Sequence, residues 1–198
     1  TLIDQLGYEL AIEPIAPATY PIHDLVSLVM TSKDPVTVAL PVFGDPAGVP
    51  AQVLSQVETE CGLVAITKNI LLARSTSGNW RVFETAHSIA FQDLNHARTQ
   101  FYATLSHATQ FLAAAELVGD SAAIEEELRN FKLLHLPPSL LSRNVEALEN
   151  AARIRIVANM AMQSTMAVAS PSNDRKRIEI LKTLDRQARE LLQAVSLG

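Results

Sequence analysis

One cysteine, Cys61, is all the thiol chemistry the chain has, so an intramolecular disulfide is excluded. That fits a reducing compartment and leads us to expect a cytoplasmic protein. Nor is a disulfide or a structural metal needed. A chain of 198 residues buries roughly 70% of the surface it exposes when unfolded. Charge is also scarce. Asp, Glu, Lys and Arg make up 19% of the sequence, against ~25% in ordinary soluble domains, and mean hydropathy is +0.15. Part of the apolar surface is therefore expected to be buried against another subunit, most simply in a two-fold homodimer. The net charge of -5 argues against a general nucleic-acid binder. The first residues, TLIDQLGYELAIEP, show no basic region followed by an apolar core, so no signal peptide is expected. In the longest uncharged helical stretch, Asn159, Gln163, Ser164 and Thr165 argue against a membrane span.

Several catalytic templates are missing as well. Phosphate-cradling loops need closely spaced glycines whose backbone N–H groups converge on the anion. The nearest approach is VALPVFGDPAGVP, residues 38 to 50, where Gly44 and Gly48 are four apart, no lysine follows, and Pro46 and Pro50 remove donors. This segment is expected to be a proline-stiffened corner; the other reading is a ligand loop with Asp45 as its contact. No Gly-x-Ser-x-Gly elbow is present. Cys61 stands before Gly62 and an apolar run, the setting of a buried structural thiol. No carboxylate pair sits in an apolar context that would separate two pKa values. No catalytic residue and no cofactor are assigned.

What is present changes character near residue 86. Before it, prolines are frequent and β-branched runs alternate with turn residues, the pattern of short strands. Strands are expected at Tyr8 to Ile15, Val36 to Val42, Leu63 to Thr67, Ile70 to Ser75 and Arg81 to Thr85. The last two are joined by TSGN, whose Gly78 and Asn79 tolerate positive φ, and Trp80 opens the second arm. Residues 22–33 and 51–62 could form short helices, the second stopping at Gly62.

After residue 86 the pattern is helical. Leu94, Phe101, Leu105, Ala108, Leu112 and Ala115 recur at steps of three, four and seven, predicting one helix over about 90–118. A short helix follows, with Asp120 as its cap and Glu125 to Glu127 as a solvated face. Pro137 and Pro138 then break the chain. A second long helix is expected over about 140–169, and its apolar residues from Ile154 to Val168 point in nearly every direction. It reads as the bundle's central helix, or as the one at a subunit contact. The segment SPSND is expected to end it, and a third long helix to run from about Asp174 to Val195. That last helix carries Arg175/Glu179, Asp185/Arg189 and Arg186/Glu190 at i,i+4, the spacing of an exposed helix laced with ion pairs.

Histidines invite a metal reading. Asp93, His96, Gln100 and His107 share one broad stripe of the first long helix. His96 and His107 are separated by about 16 Å of helix rise and cannot share an ion. Asp93 with His96 makes at most half a site, which Glu146 or Glu149 would have to complete. No metal is assigned; a solvent-facing stripe explains the pattern.

Together these features predict an α+β protein of one domain, residues 1–198. A small, mostly antiparallel sheet in residues 1–86 would pack against a bundle of three long helices and one short helix in residues 87–198. The function expected is a non-enzymatic cytoplasmic binding or assembly module, self-associating through helical surface, with no nucleic-acid or membrane partner. The alternative is a small-molecule site, possibly enzymatic, near loop 43–50 and the start of the first long helix, with Asp45, Trp80, Asp93 and His96 as its contacts.

Overall fold

A computed structural model describes residues 37–55, 63–65, 70–74, 80–84, 92–114, 121–131, 142–163 and 171–196. Four strands come first: β1 (Thr37–Ala39), β2 (Leu63–Ala65), β3 (Ile70–Arg74) and β4 (Trp80–Glu84). They form an antiparallel meander in chain order, the topology that short connections favour. Thr37 pairs with Ala65, Leu63 with Ala73, Leu71 with Phe83 and Arg74 with Trp80. Between β1 and β2 stands a single helical turn, α1 (Ala51–Leu54). The helices α2 (Leu94–Ala114), α3 (Ser121–Asn130), α4 (Ser142–Gln163) and α5 (Pro171–Ser196) follow. The α+β class and the three long helices with one short helix are as the patterning predicts. The strand expected at Tyr8 to Ile15, the short helix over 22–33, Asp120 and the TSGN turn lie outside the described residues. No helix of the described residues is long and apolar enough to cross a membrane.

By its contacts the chain divides into two compact units, residues 1–91 and residues 92–196. In the first, Leu71 packs with Ala39, Val49 and Val53 in a small core, with Leu54 and Phe83 against it. Leu71 and its neighbour Leu72 are both buried. Successive strand residues face opposite ways, so the sheet is covered on both faces at β3.

In the helical unit, Ala97, Phe101 and Ala108 of α2 meet Ala147 and Ala151 of α4 and Leu184, Ala188, Leu191, Ala194 and Val195 of α5. Alanines allow the helices to approach closely, and Phe101, fully buried, fills the space between them. Asn150 Nδ2 of α4 donates to the hydroxyl of Tyr102 on α2 at 3.2 Å.

Of the two places expected for the helix over 140–169, the centre of the bundle is overturned, and so is the exposure expected along α5. The central helix is α5, which packs extensively on both α2 and α4. Arg177, Leu181, Leu184, Ala188, Leu191 and Val195 are all buried, and they recur at alternating steps of four and three, a heptad seam. Asp185 and Arg189, expected on the surface, are buried too. Their i,i+4 spacing places both beside the seam, on a flank that α4 covers. The helix also starts earlier than expected: Pro171, Ser172, Asn173 and Asp174 are in its first turn. Proline is tolerated there because the first N–H groups of a helix have no intrahelical acceptor.

Asp185 ties the two helices together. Its Oδ1 accepts from Arg155 Nε of α4 at 3.1 Å, and its Oδ2 from Arg189 Nε of α5 at 2.8 Å. Removing one partner of a buried pair leaves uncompensated charge behind. Asp185→Asn is therefore expected to destabilise the protein by about 3 kcal/mol or more. Glu179→Gln, on an exposed site of the same helix, should change stability by less than ~0.5 kcal/mol. Urea unfolding followed by far-UV circular dichroism checks both.

Candidate functional site

The loop after β1 is built from two consecutive tight turns. Val42 and Asp45 exchange backbone hydrogen bonds, N to O at 3.0 and 2.9 Å, and Gly44 between them has φ +83°. That is the sign required at the third position of a type II turn. Next, Val49 N donates to Pro46 O at 2.9 Å, with Ala47 at φ 49° and Gly48 at φ 79°. Two positive φ values in succession define a turn of the I′ kind. Asp45 supports this second turn, since its Oδ1 accepts from Ala47 N at 3.2 Å, an Asx-turn. Pro41 and Val49 anchor the two ends in the interior. Phe43 sits at the outer corner and is fully exposed.

Trp80 begins β4, opposite Arg74. Asp93 and His96 belong to the helical unit and do meet, though not as metal ligands. Asp93 Oδ1 accepts from the backbone N–H of Asn95 at 2.9 Å and of His96 at 3.2 Å. Its carbonyl accepts from Ala97 N at 2.9 Å. Asp93 is thus the N-cap of α2, and its charge lies at the favourable end of the helix dipole. His96, Gln100 and His107 are exposed along the same helix. Among the described residues no group of three or more His, Cys, Asp or Glu side chains could hold a metal ion. Cys61 lies outside the described residues.

The densest polar cluster was not singled out by sequence reasoning. It runs along the α4–α5 contact. Arg155, Asp185 and Arg189 form the chain of bonds given above, with side-chain exposures of 26%, 6% and 4%. Farther along, Arg177 of α5 is buried. Its Nε and NH2 donate to Asp174 Oδ1 at 3.1 and 2.9 Å, and its NH1 to the α4 carbonyl of Ala161 at 2.6 Å. Arg177, near the start of α5, thus reaches a carbonyl near the far end of the described part of α4. The signal was available: the seam made by Leu181, Leu184, Ala188, Leu191 and Val195 puts Asp185 and Arg189 next to buried positions.

This helical segment is also where the chain resembles something known. Residues 95–192 are similar to the family described as Rv1486c-like protein, C-terminal domain. The similarity runs from the first turn of α2 to the last turns of α5, just under half of the chain. No curated protein and no solved structure matches the sequence.

Local measurements follow from the loop. Asp45→Ala should cost no more than ~1 kcal/mol if the side chain serves only the turn. Ala47→Gly should raise stability by about 0.5–1 kcal/mol, because a left-handed alanine is strained by about 1–2 kcal/mol while glycine is not, offset by glycine's freedom when unfolded. Chemical denaturation of each variant beside wild type gives both values. EDTA is expected to leave the melting temperature within a few degrees of the untreated protein, because no ligand set closes among the described residues.

Proposed function

We propose that this protein is a non-enzymatic cytoplasmic binding or assembly module that self-associates, as a two-fold dimer, through helix α4. The observation that carries this reading is the outer side of α4. At 3.6 residues per turn, Ile156 and Met160 lie on the side of the helix away from its buried residues Ala147, Ala151 and Ala158, and Val157 lies on the flank. All three are half-buried. Glu146, Glu149 and Arg153 occupy the same outer side in the preceding turns, with Arg153 and Glu149 in an ion pair. The outer side therefore changes from charged to apolar after Arg153, although solvent alone would favour charge along its whole length. An apolar stretch bounded by polar residues is what a helix presents when a second copy covers it.

The side chains that a ligand site would use support the same reading, because they are spent locally. Asp45 holds a turn and Asp93 caps a helix. Cytoplasmic residence rests on the single cysteine. Self-association of this kind uses the same patch twice, so one substitution places two charges in the contact. Met160→Glu is expected to convert a dimer to a monomer in light scattering at micromolar concentration, with a melting temperature close to that of wild type. A monomer mass for wild type would refute the proposal.

A further inference from the structure

We draw no further inference here: the strongest candidate, the surface patch at the corner of the loop after β1 where Phe43 is held fully exposed, is a single apolar side chain, and nothing in the structure shows what covers it.

Discussion

The helical unit depends on a charge that it cannot leave unpaired. Asp185 lies inside the α4–α5 contact, where a lone carboxylate would be far less stable than in water. Arg189, one turn along the same helix, answers one oxygen, and Arg155 from the facing helix answers the other. Apolar packing along α5 would tolerate small slides of one helix on the other, since Leu181, Leu184 and Leu191 fit many hollows. The Arg155 bond does not. Sliding α4 by a turn would carry Arg155 about 5.4 Å away and leave Asp185 with one partner. Arg177 adds a second fixed point near the other end of the contact, through the Ala161 carbonyl. Burial of Phe101, Leu184 and Leu191 provides the driving force; the arginines select the register.

Much of this architecture was legible in the chain. The change of pattern near residue 86, the four described strands and all four helices of the second half follow from period and turn residues. Such signals survive because each is repeated several times within one element. The burial of Asp185 and Arg189 was not legible in the same way. An i,i+4 pair of opposite charges has the same spacing on an exposed face and on a covered one, and only the seam beside it tells them apart. The all-round apolar character of α4 misled for a related reason. It suggested a helix at the centre of the bundle or one at a subunit contact, and α5, with the more polar sequence, holds the centre. Apolar residues report that something covers a helix, not which chain supplies the cover.

The candidate ligand contacts show the same limit at closer range. Asp45 stands out in the sequence as the lone charge in an apolar loop, and Asp93 because His96 follows it one helical turn on. Those are also the positions where the backbone has unanswered N–H groups. The structure uses both carboxylates for that purpose, at Ala47 and at Asn95 and His96. Backbone demand is therefore enough to explain both residues, and neither by itself signals chemistry.

Polar groups in this protein fall into two classes by what they answer. Asp45, Asp93 and Arg177 bond to backbone groups, in a turn, at a helix start and across to α4. With those needs met, they have no reason to wait for a ligand. The Arg155–Asp185–Arg189 cluster differs, since it joins side chains to one another: two guanidiniums share the two oxygens of one carboxylate. Arg189 answers the buried carboxylate from within α5 and Arg155 answers it from α4, so only the second bond depends on how the two helices meet. Arg155 is also the more exposed of the two arginines, at 26% of its side chain against 4% for Arg189, so the bond that fixes the register is the one nearer water.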